Sequence, residues 1–276
     1  MWRRLRLIAA AELARLGQGL ATRSQRLGNR WMREEDAIAL TARYYRRAAH
    51  YRRGWHSELG LFDFERQALQ TAFPPPPARV LVLGVGGGRE LGALRSAGYA
   101  VDGCDPVPAL AAAAKQVLGA DGQVLCCGAE ALDGAADLPG PYDAALFGWG
   151  AWSHLFGVAS RRAALRALRA RLRPNAPLLL SWPLLPSRGL RHGAHTSAEV
   201  HAAGPARPGA EITGTAFGWR MAPGGLVHVV YGEDDLRADA EATGFGVECC
   251  HGAESGYPNA LLRVEAATPA DGRGPS

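Results

Sequence analysis

Residues 79 to 182 alternate between short apolar runs and stretches with helical spacing. The apolar runs are followed by glycine or proline, which is typical of strands that are buried on both faces. The stretches between them are closed by Gly98 and Gly119, residues that favour helix ends. This alternation predicts a parallel, doubly wound α/β sheet. The predicted strands are 80–83, 99–104, 123–127, 143–147 and 177–182, and the helices are 90–97, 108–118 and 160–172, with Ser160 as the cap.

The alternation lapses after residue 182. Residues 183 to 224 are rich in Gly, Pro, His and Ala, and loops of that length often cover a functional site. Two apolar segments around a Pro-Gly-Gly turn predict a hairpin, and a last helix precedes two more strands. The predicted elements are a hairpin of 212–220 and 226–231, a helix at 233–243, and strands at 245–251 and 260–266, before a disordered polar tail at 268–276.

The segment before residue 79 reads as helical. Apolar residues at near-helical spacing predict an amphipathic helix over 2–26, and further helices are predicted at 34–53 and 62–72. Four prolines, 74–77, then stop all helix. We therefore predict three units: a helical N-terminal arm and lid (1–78), an α/β domain (79–267) with an insertion at about 183–231, and the tail (268–276).

The net charge of +5 comes from the arm. Residues 1–33 hold eight arginines against Glu12, a net of +7, so the remaining residues carry −2. The near-neutral domain argues against a nucleic-acid partner. The arm could dock on the domain, on a partner or in a homo-oligomer, or it could lie on an anionic membrane surface. The apolar runs are too short for a signal peptide or a membrane span, so a cytoplasmic location is expected.

A glycine-rich turn follows the first predicted strand. Gly84, Gly86 and Gly88 allow a tight turn and a close approach of the backbone to a ligand, with a helix start directly behind. Asp105 ends the second strand, where a carboxylate can accept hydrogen bonds from ribose hydroxyls, although a turn or cap role is the alternative. The full fingerprint for NAD is not met, because Arg89 stands where its third glycine would be.

This pattern resembles class I S-adenosylmethionine-dependent methyltransferases over residues 79 to 266. The resemblance implies a Rossmann-like, seven-stranded, mostly parallel sheet with helices on both faces, finished by the antiparallel C-terminal strands. It implies S-adenosylmethionine as cofactor, held at its methionine and ribose by the three glycines and Asp105. It places adenine at 128–130, where Ala129 and Glu130 are the predicted contacts. Two acids common in the family are missing, with Val82 and Gly128 at their positions.

The segment after the fourth strand, 148–156, lies where the family's acceptor meets the methyl group. Trp149 and Trp152 are predicted walls of a pocket for an aromatic or apolar small molecule, although Trp152 could simply pack the core. His154 is a candidate general base, with a structural hydrogen bond as the alternative. Tyr44 and Tyr45 are predicted to contact the cofactor from a lid helix, with plain helix packing as the alternative.

A cluster of His192, His195, Glu199 and His201 in the insertion invites a metal-site interpretation. The surrounding Gly and Pro offer no rigid helix to hold ligands, so a flexible substrate cover is favoured and no metal is expected.

The predicted function is methyl transfer to O or N of a small, aromatic or apolar molecule. The alternatives are a nucleic-acid or peptide methyltransferase, a non-catalytic S-adenosylmethionine-binding module, and, third, a nicotinamide oxidoreductase.

Overall fold

A computed structural model describes residues 34–47, 59–182, 219–221, 227–229, 233–251 and 257–266 of the chain. The predicted helix at 2–26, the cluster of His192, His195, Glu199 and His201, and the tail at 268–276 lie outside these residues. The division into three units therefore stays a prediction. Within the described ranges, no helix combines the length and the apolar character needed to cross a membrane.

The core of the fold is a seven-stranded sheet in the order β3-β2-β1-β4-β5-β9-β8. The first five of its strands in the chain run parallel, and β9 pairs antiparallel with both β5 and β8, so the sheet is mostly parallel with an antiparallel C-terminal end, as predicted. The seven strands are β1 (Arg79–Leu83), β2 (Ala100–Cys104), β3 (Val124–Leu125), β4 (Ala144–Phe147), β5 (Pro177–Ser181), β8 (Phe245–His251) and β9 (Asn259–Val264). The strand order reverses between β1 and β4, so a crevice opens there at the carboxyl ends of the strands.

Helices cover both faces of this sheet, which confirms the predicted Rossmann-like α/β class. One core forms where α2, α3 and α4 pack on the sheet, and the other where α5 and α6 pack on the opposite face. The helices are α1 (Glu34–Arg47), α2 (Asp63–Thr71), α3 (Arg89–Ser96), α4 (Pro108–Leu118), α5 (Val158–Arg171) and α6 (Glu233–Glu241).

The described part of the insertion contains two short paired strands. They are β6 (Trp219–Met221) and β7 (Val227–Val229), which run antiparallel. This pairing confirms the predicted hairpin where the chain is described. Strand β6 continues one residue past the predicted end at Arg220, and the rest of the predicted segments 212–220 and 226–231 lies outside the described residues.

Two local predictions are wrong. Ser160 does not cap α5, because the helix already begins at Val158 and an extended Gly157 occupies the cap position. Strand β3 is only two residues long, and its ladder with β2 ends at Leu125. The predicted strand over 123–127 therefore stops short, and the chain enters a 3₁₀ turn at Ala129–Gly134 instead of a longer element.

Candidate functional site

A cavity of about 300 Å³ opens at the carboxyl ends of β1, β2 and β4. It lies at the point where the strand order reverses, the usual place for a ligand in an open α/β sheet. The glycine loop and Asp105 line one side, the turn after β3 lines another, and one face of α1 lies against the opening. Further lining residues come from the segment after β4: Trp149, Ala151, His154, Leu155, Phe156 and Ser160.

Gly84 and Gly86 form the turn that leaves β1. Both have positive φ angles, +66° and +53°, which side chains other than glycine rarely adopt. A Cβ on Gly84 would lie 2.5 Å from Cβ of Ala151, so the loop packs directly against the segment after β4. A Cβ on Gly86 would meet no atom within 4 Å, and this residue lines the cavity. The backbone at Gly86 is therefore open to a ligand.

Gly88 has a different role from the one predicted. It does not line the cavity but occupies the cap position of α3, with a φ of +92°. A Cβ there would lie 3.1 Å from both Cα of Ala114 and Cβ of Val117 on α4. Glycine is therefore needed at position 88 for close packing of α3 on α4, and this packing holds the end of the glycine loop in place.

Asp105 lies at the end of β2 with its carboxylate buried against the loop. Oδ2 accepts a hydrogen bond from the amide of Gly86 at 2.9 Å, and Oδ1 accepts one from the amide of Val107 at 2.8 Å. Burial raises the pKa of Asp105 to about 6; the two amide hydrogen bonds lower the pKa, and the nearby charge of Glu90 raises it further. Because each carboxylate oxygen has a second lone pair, the group can still accept hydrogen bonds from a ligand.

The turn after β3 lines the cavity through Gly128, Ala129 and Glu130. A Cβ on Gly128 would lie 2.3 Å from Oε1 of Glu130, so glycine allows the Glu130 side chain to fold over its own turn. This places Ala129 and Glu130, the predicted adenine contacts, along the cavity wall.

One face of α1 lies over the cavity. Ile38, Thr41, Ala42 and Tyr45 share this face, since they follow the spacing of a helical stripe. Thr41 is 8% exposed, and no residue in the described part of the chain forms a hydrogen bond with its hydroxyl. The sequence reasoning missed Thr41, although its spacing from Tyr45 could have indicated it.

The two tyrosines of α1 differ in placement. The hydroxyl of Tyr45 forms a hydrogen bond of 2.9 Å with Nε2 of His154, and both residues line the cavity. Tyr44 packs edge-on against Tyr45 and does not line the cavity. Burial raises the pKa of Tyr44.

The two tryptophans also separate. Trp149 lines the cavity, is 41% exposed and packs against Phe62 and Tyr257. Trp152 is fully buried against Phe147 and is absent from the cavity wall, which corrects its predicted role. The residue follows the left-handed Gly150 at the start of a 3₁₀ turn, which carries the indole into the core.

A buried ionic cluster beside the cavity was not predicted. The guanidinium of Arg89 donates to both carboxylate oxygens of Glu65, at 2.7 and 2.6 Å, and to Oε1 of Glu90 at 2.6 Å. It also lies 4.1 Å from the ring centroid of Phe62. Arg89 and Glu90 line the cavity, whereas Glu65 backs them from α2. Since Glu65 is distant in sequence, only the tertiary fold reveals this cluster.

Comparison with known proteins identifies the fold. No family model matches the sequence, and no curated protein matches it. The chain is similar to an amino pentose methyltransferase from Micromonospora echinaspora, with 19% identity, 80% of this chain and 96% of that chain covered, and a TM-score of 0.51.

Two further solved structures give the same picture. A TehB-like SAM-dependent methyltransferase from Corynebacterium glutamicum is 16% identical over 81% of this chain and 99% of that chain, with a TM-score of 0.51. The CcbJ methyltransferase from Streptomyces caelestis is 17% identical over 76% of this chain and 92% of that chain, with a TM-score of 0.52. The chain therefore has the class I S-adenosylmethionine-dependent methyltransferase fold.

Proposed function

We propose that this chain is an S-adenosylmethionine-dependent methyltransferase that acts on O or N of a small, aromatic or apolar molecule. The observation that carries the proposal is the cavity at the switch point of the sheet, where Gly86 and Asp105 face the same space as Trp149 and His154. The solved structures of the same fold add support, because they include enzymes that methylate small molecules, such as the amino pentose methyltransferase.

The residues around the cavity fit this cofactor. The open backbone at Gly86 leaves space beside the loop, and the remaining lone pairs of Asp105 suit ribose hydroxyls. Thr41 lines the same cavity, and its hydroxyl has no hydrogen-bond partner among the described residues; a buried polar group without a partner costs about 1 to 3 kcal/mol until a ligand satisfies it. When bound, S-adenosylmethionine supplies an activated methyl group.

The remaining cavity wall suits the acceptor. Trp149, Leu155 and Phe156 offer apolar surface, which would orient a flat or apolar molecule and exclude water from the reacting atoms. The Tyr45 and His154 pair lies on the same wall. A hydroxyl or amine acceptor that must lose a proton would pass it to the phenol oxygen while Tyr45 passes its own proton to Nε2 of His154.

Ligand binding followed by turnover tests the function. We expect S-adenosylhomocysteine to raise the melting temperature of the protein while NAD leaves it unchanged. Incubation with S-adenosylmethionine and small-molecule extracts should then produce a species heavier by one CH₂, detected by mass spectrometry. Stabilisation by NAD alone would contradict the proposal, and binding without turnover across acceptor panels would favour a non-catalytic module.

The affinity for S-adenosylhomocysteine is expected to fall below about pH 6. Asp105 is ionised above its pKa of about 6 and accepts hydrogen bonds; below that pH it is protonated and loses acceptor capacity. If one proton is linked to binding, the dissociation constant rises by up to about tenfold per pH unit on the acidic side. Calorimetry between about pH 5 and pH 8 measures this slope.

Asp105→Asn provides the control for this pH dependence. The variant should bind more weakly at every pH and show no inflection near pH 6, because no carboxyl group titrates at that position. A wild-type affinity that stays constant through pH 6 would contradict this prediction. The same inflection in Asp105→Asn would show that a different group titrates.

A further inference from the structure

We infer that Glu90 binds the ammonium group on the amino-acid end of the cofactor, an inference that rests on the proposed function. Glu90 lies in the first turn of α3, directly behind the glycine loop. It is 3% exposed and lines the cavity. The buried part of β1 is entirely apolar, with Val82 at the position where an acid is common in the family that the sequence resembles. Glu90 supplies the carboxylate that β1 lacks.

The two oxygens of the Glu90 carboxylate are used differently. Oε1 accepts hydrogen bonds from the backbone amide of Trp149, at 2.9 Å, and from Arg89, at 2.6 Å. No described residue donates a hydrogen bond to Oε2. One oxygen therefore fixes the side chain, and the other is left to a ligand.

Backbone contacts place this carboxylate where the glycine loop meets the end of β4. A Cβ on Gly148 would lie 2.3 Å from the carbonyl oxygen of Gly84 and 3.3 Å from Oε1 of Glu90. Glu90 therefore lies beside the glycine loop, which holds the methionine and ribose of the cofactor in the proposed binding mode. Neighbouring backbone carbonyls offer further acceptors for a group with three N–H donors.

The charge balance favours a cation. Arg89 is held by two hydrogen bonds to Glu65, so one guanidinium faces two carboxylates and the buried cluster carries a net charge of −1. Arg89 is the one arginine or lysine among the described cavity residues, whereas Asp105 and Glu130 add two further carboxyl groups to that of Glu90. Uncompensated buried charge is costly, and a bound cation relieves that cost.

The ammonium group fits Oε2 better than the other positive charge of the cofactor. A carboxylate oxygen that lacks a hydrogen bond needs a donor, and the ammonium has three N–H groups. The sulfonium has none. Glu90 should therefore recognise S-adenosylhomocysteine, which keeps the ammonium but has lost the sulfonium charge.

A matched pair of ligands tests the assignment. The probes are S-adenosylhomocysteine and its desamino analogue, in which hydrogen replaces the amino group, with dissociation constants measured by calorimetry. Wild-type protein should prefer S-adenosylhomocysteine by about 30-fold, as expected for a buried charge pair. Glu90→Gln should lower that preference to about threefold or less, because the amide keeps the shape but loses the charge. Glu90→Asp, which keeps the charge on a shorter side chain, should retain part of the preference.

The outcomes separate this inference from the proposed function. If wild-type protein binds neither probe, the proposed function fails and the inference fails with it. If wild-type protein binds both probes equally, the inference alone is overturned, and this result does not depend on whether a variant folds. A Glu90→Gln variant that weakens both probes equally, or that weakens S-adenosylmethionine but not S-adenosylhomocysteine, also overturns it.

Discussion

Arg89→Met is expected to lower the free energy of unfolding by about 3 to 5 kcal/mol, the usual loss when one partner of a buried ion pair is removed. Arg89 is 4% exposed, and its loss leaves the carboxylates of Glu65 and Glu90 together without a cation. Burial already raises the pKa of Glu65 in the presence of Arg89. Urea denaturation of the ligand-free protein measures the change.

The loss in free energy of unfolding caused by Arg89→Met should be larger at pH 8 than at pH 5. Without Arg89, the folded-state pKa of Glu65 rises further above its unfolded value, so the penalty is absent only below the unfolded-state pKa of about 4.3, where the carboxyl group is protonated in both states, and it is still small at pH 5. The penalty grows as the pH rises toward the folded-state pKa, because ionisation then favours the unfolded chain. A loss that is independent of pH would indicate lost packing instead of unpaired charge.

Two controls isolate the charge effect. Arg95→Met removes an exposed arginine that pairs with Asp121 on the surface, and it should cost no more than about 1 kcal/mol. The double variant with Glu65→Gln and Arg89→Met should recover part of the stability, because one buried carboxylate has been removed with the guanidinium. A double variant as unstable as Arg89→Met would contradict the electrostatic account.

The sheet could be predicted from the sequence because its strands are apolar runs with clear ends. The predicted bounds of 80–83 for β1 and 99–104 for β2 differ from the observed strands by one residue at one end. Strand β3 was predicted too long because it pairs only with β2 at the edge of the sheet, and composition does not show where one ladder ends. The prediction that Ser160 caps α5 was wrong because serine is a common cap residue near a helix start, whereas Gly157 occupies the cap position in the structure.

Part of the site could also be predicted, because some of its residues stand at strand ends that are clear in the sequence. Gly84, Gly86 and Asp105 come from local signals at strand ends, and the structure brings them to one cavity. The separation of Trp149 from Trp152 depends on a left-handed turn at Gly150, which no periodicity reveals. The pairing of Glu65 with Arg89 spans 24 positions and different elements, so only the packing of α2 on the sheet shows it.

His154→Gln is expected to lower kcat by about 10²- to 10⁴-fold with a hydroxyl or amine acceptor that must lose a proton, the usual contribution of a general base. The imidazole of His154 lines the cavity and holds the Tyr45 hydroxyl at 2.9 Å, so it can receive the proton that this hydroxyl gives up. The measurement is kcat and KM for the acceptor found by mass spectrometry, as a function of pH.

The pH dependence separates base catalysis from a structural role. If His154 accepts the proton, the deficit in kcat of His154→Gln should shrink as rising pH deprotonates the acceptor itself, while the affinity for S-adenosylhomocysteine stays near the wild-type value. Tyr45→Phe should reduce kcat in the same direction, because it interrupts the path between acceptor and imidazole. A His154→Gln enzyme with wild-type kcat, or one changed only in KM, would contradict base catalysis. The hydrogen bond between Tyr45 and His154 would then serve only to hold α1 over the cavity.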